Sequence, residues 1–236
     1  MEEYEFSRTE LLIGREGIEC LARKKVAIFG LGGVGSYVAE ALGRAGIGSI
    51  CLVDSDVVTI TNINRQIHAL HSTLGRPKVE VMAERLQDIN PCLKVFFRQE
   101  RYTKEKKDVF FANLDYVVDA IDDLPAKVNL IKNCLELKIP VISSMGTGNR
   151  LEPKAFTIGD ISETKNDPLA RRLRYELNKC GIKSGVKVVY SLLPPLPVKK
   201  EEGSTSMVGS ISFVPPVAGL LLAGEVVNDL LKMKDD

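Results

Sequence analysis

Several patterns that announce a function class are missing from this chain. Its five cysteines, Cys20, Cys51, Cys92, Cys134 and Cys180, are odd in number and form no C-x-x-C pair. That argues against a disulfide framework and against a zinc knuckle, and it suits a reduced, cytoplasmic protein. The two histidines, His68 and His71, lie three apart without cysteine or acidic companions at ligand spacing, so packed or surface roles are expected of them rather than metal binding. A charge excess of either sign is also missing: 32 Lys and Arg stand against 31 Asp and Glu, a net +1. The molecule as a whole therefore makes no electrostatic statement about partners. The first ten residues, MEEYEFSRTE, are acidic and polar and do not read as a signal peptide, and no internal repeat is visible. Charge is wholly absent from Gly203 to Gly224, a stretch about long enough to span a bilayer. It holds Pro215-Pro216, four glycines and five Ser or Thr, which suits a buried, protein-covered segment better than a membrane span, so no membrane is expected.

What is present begins with hydrophobic content: 44% of 236 residues, enough for a proper core in one large or two small domains. Val26 to Asp54 organises the rest. Val26–Phe29 is a short apolar, β-rich run, and Gly30-Leu31-Gly32-Gly33-Val34-Gly35 then matches G-x-G-x-x-G. From Ser36 the apolar positions Val38, Ala39, Leu42 and Ala45 recur at helical spacing until Gly46. Strand, tight glycine turn and helix in that order place backbone N–H groups at the positive end of a helix dipole, a seat for phosphate. A second apolar run, Ile50–Val53, ends in Asp54, 19 residues beyond Gly35, where a carboxylate can accept from ribose hydroxyls. The expected fold is α/β and Rossmann-like: a mostly parallel sheet with helices on both faces, extended by C-terminal strands and a closing helix. We expect a single domain, 1–236, made of an N-terminal arm (1–24), a nucleotide-binding part (25–150) and a basic C-terminal part (151–236).

Downstream, Ser55 to Gln66 is a long polar loop at the carboxyl end of a strand, where open α/β sheets bind ligands. Arg65 there reads either as a solvated loop arginine or as a polyphosphate contact. Gly75-Arg76-Pro77-Lys78 opens a helix whose apolar face is Val79, Met82, Ala83, Leu86 and Ile89. Two cations at a positive helix end cost roughly 0.3 to 1 kcal/mol each unless an anion lies nearby. A tolerated mismatch and a bound triphosphate both account for them. Strands are expected at Lys94–Phe97, Tyr116–Ala120 and Pro140–Met145, the middle one running into Asp119, Asp122 and Asp123. Three carboxylates at a strand end suit Mg²⁺, and Asp122 or Asp123 equally suits a helix N-cap, since Pro125 and a helical run to Leu137 follow. Residues 165–200 carry nine Lys or Arg against Asp167 and Glu176, a local balance of +7. Solvated lysines explain such a patch, and so does a second polyanion, with nucleic acid the leading candidate. A helix from Asp167-Pro168, a strand at Val186–Leu193, an exposed linker at Pro194–Gly203 and a helix at Val217–Met233 complete the chain.

The motif order, comprising the glycine turn, Asp54-Ser-Asp56, Thr61-Asn62-Ile-Asn-Arg65-Gln66, Gly75-Arg-Pro-Lys78 and Asp119-Ala-Ile-Asp122-Asp123, resembles the ThiF/MoeB/HesA superfamily of adenylating enzymes, relatives of the ubiquitin-activating enzymes. Ser7–Gly14, Asn64–Leu70 and Gly209–Gly219 are similar to its dehydratase branch, which uses ATP to cyclise threonylcarbamoyladenosine in tRNA. The resemblance implies that Gly30, Gly32, Gly33 and Gly35 form the seat of the ATP phosphates, that Asp54 and Asp56 belong to the nucleotide site with Asp54 on the ribose, and that Asn62, Arg65 and Lys78 contact the triphosphate. It further implies Mg²⁺ on Asp122, a homodimer in which Arg8 reaches the phosphates of the other subunit, tRNA as substrate, and a sulfurtransferase as a candidate partner. Sulfur-carrier activators of the superfamily usually carry two C-x-x-C zinc pairs, which this chain lacks, and no cysteine follows Cys180 to support a thioester step. The glycine turn and Asp54 also fit NAD, but an NAD-dependent oxidoreductase leaves Arg65, Lys78 and Asp122 without employment.

Overall fold

The computed structural model describes residues 3–103, 111–197 and 208–232. In chain order its main elements are α1 (Ser7–Arg23), β1 (Lys25–Phe29), α2 (Gly35–Arg44), β2 (Ser49–Val53), α3 (Lys78–Ile89), β3 (Lys94–Arg98), β4 (Tyr116–Asp119), α4 (Leu124–Glu136), β5 (Val141–Ser144), β6 (Phe156–Asp160), α5 (Pro168–Lys179), β7 (Lys187–Ser191) and α6 (Val214–Lys232). The strands form one sheet in the order β3-β2-β1-β4-β5-β7-β6, parallel throughout except for β6, which runs antiparallel to β7 at the edge. Chain order reverses between β1 and β4, the switch point outside which open α/β sheets place their ligands. β1 and β4 are in register from Val26↔Tyr116 to Phe29↔Asp119, so the glycine turn and the acidic segment leave the sheet side by side.

The inner strands are buried on both faces, as parallel strands covered by helices must be. On one face Ile28, Ile50 and Leu52 meet Val38, Leu42, Met82 and Leu86 of α2 and α3 and Leu222 and Val226 of α6. On the other, Phe29, Val117 and Leu130 form a second cluster, and Leu173 and Leu177 of α5 a third with Val188. α6 is long and apolar enough by composition to cross a membrane, yet it lies against α2, with Val214, Ala218, Leu222, Val226 and Leu230 inside the first cluster. Its Pro215 and Pro216 sit in the first helical turn, where a missing N–H costs nothing.

Three expectations change. The N-terminal arm is a 17-residue helix, bent at Gly14, whose φ of 72° lies in the left-handed region. β6 is a strand beyond those expected: FTIGD is five residues long, ends in Gly and Asp, and is held as an edge strand by its pairing with β7. The helix expected to open with Gly75-Arg76-Pro77-Lys78 begins at Lys78, with Pro77 as its cap residue. Residues 198–203 of the expected linker, 203–207 of the uncharged stretch, Lys199 and Lys200 of the basic stretch and Met233 of the closing helix lie outside the described residues.

Candidate nucleotide site

The glycine turn divides its labour. Gly30 has φ of +89°, and a Cβ there would stand 2.6 Å from the Ala120 carbonyl oxygen; one on Gly35 would stand 1.8 Å from the Gly30 carbonyl oxygen. These two glycines let the turn close. A Cβ on Gly32, by contrast, would meet nothing within 4 Å, because that residue faces an open hollow. The hollow has a volume of about 730 Å³, within the ordinary range for small-molecule sites.

Of the residues expected in the site, Gly30, Gly32, Gly33, Asp54, Asp56, Asn62, Arg65, Lys78 and Asp122 line this one cavity. Two do not. Gly35 lies beneath the turn and is not among the lining residues; its lack of a side chain lets the turn close against the Gly30 carbonyl. Arg8 lies on the exposed side of α1 and is not part of the cavity of its own chain.

Each lining side chain has a definite local anchor. Asp54 accepts hydrogen bonds from the Leu31 N–H (2.6 Å) and the Asp56 N–H (2.8 Å), stitching the end of β2 to the glycine turn. Burial pushes its carboxyl above the usual range, against the opposing charge of Lys78 and those two N–H bonds. A carboxylate has about four lone-pair sites, so two remain for ribose hydroxyls. Asn62 uses its Oδ1 to accept the Thr59 N–H at 3.1 Å, which closes the turn and leaves its amide hydrogens for the cavity. Arg65 donates from Nη1 to the Thr61 carbonyl (2.8 Å) and to Asn64 Oδ1 (2.9 Å), and its stem lies over Gly33. Nε and Nη2 are the donors left over.

The two cations at the start of α3 already have counter-charges. Lys78, itself buried, pairs with Asp56 at 2.8 Å, and Arg76 pairs with Glu84. The expected cost of a cation at a positive helix end is thus offset within the protein, and the oddity does not by itself require a bound anion.

The acidic cluster separates into three roles. Asp119 is wholly buried: Lys127 Nζ (2.8 Å) and Ser143 Oγ (2.6 Å) donate to its Oδ2, and the Ile121 N–H (3.1 Å) donates to Oδ1. Both of its oxygens are thus engaged inside the protein, and of the three carboxylates Asp122 alone was expected to hold Mg²⁺. Asp123 caps α4 by accepting the Ala126 N–H at 3.1 Å and also pairs with Arg101. Asp122 is exposed at the cavity wall and, among the described residues, has no hydrogen bond or ion pair. No group of three or more candidate ligands forms among the described residues. One free carboxylate beside a phosphate seat fits Mg²⁺, which keeps most of its shell as water and substrate oxygens.

Sequence reasoning missed the supports. Lys127 bridges the ends of β4 and β5, donating also to the Ser144 carbonyl at 3.0 Å. Arg150 ties the Gly146 carbonyl (2.8 Å) at the cavity rim to the Leu193 carbonyl and to Asp167 (3.0 Å), the cap of α5. Lys127 lies one turn into the helix capped by Asp123, which swings it back under the strand end carrying Asp119; nothing in the sequence alone signals that contact. Of the histidines, His68 is packed and His71 exposed.

The model of the ThiF family matches residues 6–236. The chain belongs to the ThiF family. It is 49% identical over 242 residues to the tRNA threonylcarbamoyladenosine dehydratase of Bacillus subtilis (strain 168), covering 97% of this chain and 95% of that one. The Escherichia coli tRNA N6-threonylcarbamoyladenosine dehydratase solved in complex with ATP superposes with a TM-score of 0.88 at 34% identity, over 97% of this chain and 94% of that one. A more distant member, the molybdopterin-synthase adenylyltransferase of Haemophilus influenzae, is 29% identical over 187 residues, 78% of this chain and 76% of its own. The Rossmann-like, mostly parallel sheet expected from the sequence is thus the ThiF-family fold, and the oxidoreductase alternative loses its footing: Arg65, Lys78 and Asp122, which it left idle, share the cavity with the glycine turn.

Proposed function

We propose that this ThiF-family chain is an ATP-dependent enzyme that cyclises N6-threonylcarbamoyladenosine in tRNA with net loss of one water. The observation that carries this reading is the gathering of Asn62, Arg65, Lys78 and Asp122 around the open face of Gly32, in a chain whose identity to dehydratases runs nearly end to end. In this reading the turn around Gly30, Gly32 and Gly33 receives the phosphates of ATP and Asp54 holds the ribose. The threonyl carboxylate oxygen attacks the α-phosphorus, pyrophosphate leaves, and an acyl adenylate results. Attack on a tetra-anion needs cations aimed at the charge that develops, and Arg65 and Lys78 are the side chains in place to supply it. Asp56 holds the Lys78 ammonium until a phosphate takes it over.

Mg²⁺, when bound through Asp122, would neutralise triphosphate charge and polarise the reacting phosphoryl group. The neighbouring carbamoyl group then closes on the activated acyl carbon and AMP departs. Because that nucleophile is tethered to its electrophile, effective molarity replaces a protein nucleophile, in keeping with a buried Cys134 and no cysteine among the lining residues. A homodimer in which Arg8 enters the cavity of the second copy, a cytoplasmic location in keeping with the unpaired cysteines, and a division of the single domain into an ATP-holding part (25–150) and a tRNA-facing part (151–236) complete the reading.

The test is mass spectrometry of nucleosides after incubating protein, ATP and Mg²⁺ with tRNA carrying threonylcarbamoyladenosine. Loss of one water from that nucleoside, dependent on ATP, is the expected result. Unchanged nucleoside, together with pyrophosphate exchange that depends on a ubiquitin-like carrier protein, would transfer the chain to the carrier-activating branch.

A further inference from the structure

The basic stretch looks different once its charges are sorted by what they touch. Arg174 is turned inward, donating from Nη1 to the Thr164 carbonyl (2.8 Å) and to Thr164 Oγ1 (2.6 Å). Lys187 is held by Glu225 and Asp229, both at 2.6 Å, and Lys179 by Glu176 at 3.0 Å. Lys165, Arg171, Arg172 and Lys183 remain: all four are exposed and, among the described residues, form no ion pair or hydrogen bond. They lie on α5 and in the loops at its two ends.

The helix that carries them is fixed to the cavity. Ala170, Leu173 and Leu177 on its inner face are fully buried, so the outer face presents Arg171, Arg172 and Tyr175. At its start, Asp167 accepts the Ala170 N–H at 2.9 Å and is clamped by Arg150, which also holds the rim carbonyl of Gly146. Leu169, in the first turn, itself lines the nucleotide cavity. Arg171 and Arg172 therefore stand within about one helical turn, roughly 5 Å of rise, of the cavity edge. Tyr175 is 64% exposed, with the Lys179 ammonium 4.3 Å from its ring centre. Among the described residues, the exposed positions of α5 are Pro168, Arg171, Arg172, Tyr175, Asn178 and Lys179, so cationic and polar side chains outnumber apolar ones on this face, which suits a polyanion better than an apolar partner.

We propose that the outer face of α5 and its flanking loops is where the sugar-phosphate backbone of the tRNA substrate docks. Lys165, Arg171, Arg172 and Lys183 pair with phosphates leading to the cavity, and the free face of Tyr175 stacks an unpaired base. This rests on the dehydratase reading for the identity of the RNA. Unpaired cations on a rigid helix that begins at the cavity rim are the arrangement that positions a polyanion for chemistry on one of its bases.

The experiment measures binding of threonylcarbamoyladenosine-bearing tRNA by fluorescence anisotropy at several KCl concentrations, for wild type and for R171E/R172E, R171Q/R172Q and Y175A. Expected are an affinity loss of at least tenfold for the charge reversal, a salt slope reduced by about 1.5 for the two lost contacts in the glutamine variant, and an ATP affinity within twofold of wild type in all three. For Y175A a loss of about fivefold or more with an unchanged salt slope is expected. Both arginine variants binding tRNA with wild-type affinity and salt slope would overturn the proposal. A wild-type protein that binds tRNA through these residues but removes no water from the nucleoside would overturn the dehydratase reading and leave the surface standing. Conversion by the wild type with undiminished binding by the variants would do the reverse.

Discussion

Lys127 and Asp119 form an ion pair of 2.8 Å in which neither side chain has any exposed surface. The pair sits under the ends of β4 and β5, and through the Ile121 N–H and the Ser144 carbonyl it sets the course of both chain segments as they leave the sheet for the cavity. Lys127→Met leaves a buried carboxylate without its counter-charge and is expected to cost about 3–5 kcal/mol. Urea denaturation checks it. Lys127→Met with Asp119→Asn removes both charges and is expected to recover part of that loss. A single variant as stable as wild type would mean the pair holds nothing in place.

Lys78 and Asp56 make an ion pair of the same length with the opposite consequence. The Asp56 side chain is 63% exposed, so removing Lys78 leaves its carboxylate in water. The stability loss in Lys78→Ala is therefore expected to stay within about 2 kcal/mol, mostly from the packed stem of the lysine. Turnover is expected to fall at least a hundredfold, the scale on which a single aimed charge contact acts in a transition state. The comparison is kcat/KM for cyclisation beside the thermal midpoint. Activity within threefold of wild type would remove Lys78 from the machinery.

The two lysines also mark where the sequence stopped being legible. The glycine turn, Asp54, Asn62, Arg65, Lys78 and Asp122 could be read as a group through the order of their short motifs, which resembles that of the ThiF superfamily; strand order then brings the carboxyl ends of β1, β2 and β4 together with the start of α3. Lys127 belongs to the same geometry but could not be read, since its partners Asp119, Ser143 and Ser144 come from two strands whose adjacency is a tertiary fact. The acid cluster misled for a related reason. Spacing along the chain makes Asp119, Asp122 and Asp123 look equivalent, whereas Asp119 still lies in the strand, where it points into the core, and the other two have left it. Gly35 was grouped with the other glycines because the motif does not reveal which glycine faces the cavity and which packs under the turn.

That last distinction can be tested by adding one methyl group in two places. Gly32→Ala introduces a Cβ that meets no atom within 4 Å, so its thermal midpoint is expected to match wild type within about 2 °C, a change of at most about 1 kcal/mol. The methyl group occupies the space where backbone must approach phosphate, and ATP affinity is expected to drop at least tenfold. Gly35→Ala forces a Cβ to within 1.8 Å of the Gly30 carbonyl oxygen, so the turn must open; a destabilisation of roughly 2 kcal/mol or more is expected. Paired calorimetry and nucleotide titration separate the two. Equal stability losses in both would erase the proposed division of labour.

His68 gives the stability a pH dependence whose sign can be worked out. The residue is 1% exposed and, among the described residues, neither ring nitrogen has a hydrogen-bond partner. Burial, and after it the charges of Lys78 and Arg85, push the imidazole from its ordinary 6.5 down to about 4. Between those values the unfolded chain holds a proton on His68 and the native protein does not, so unfolding is favoured as pH falls through that window. Above about pH 7 both states are neutral and the residue contributes no pH dependence. By pH 4 the accumulated cost is roughly 3 kcal/mol. His68→Gln cannot take up the proton in either state. Its stability relative to wild type is therefore expected to improve by roughly 2.5 kcal/mol between pH 7.5 and pH 4.5, whatever offset the changed packing introduces. Chemical denaturation of both proteins at the two pH values gives that difference directly, and an offset independent of pH would show that His68 is solvated or partnered in the native protein.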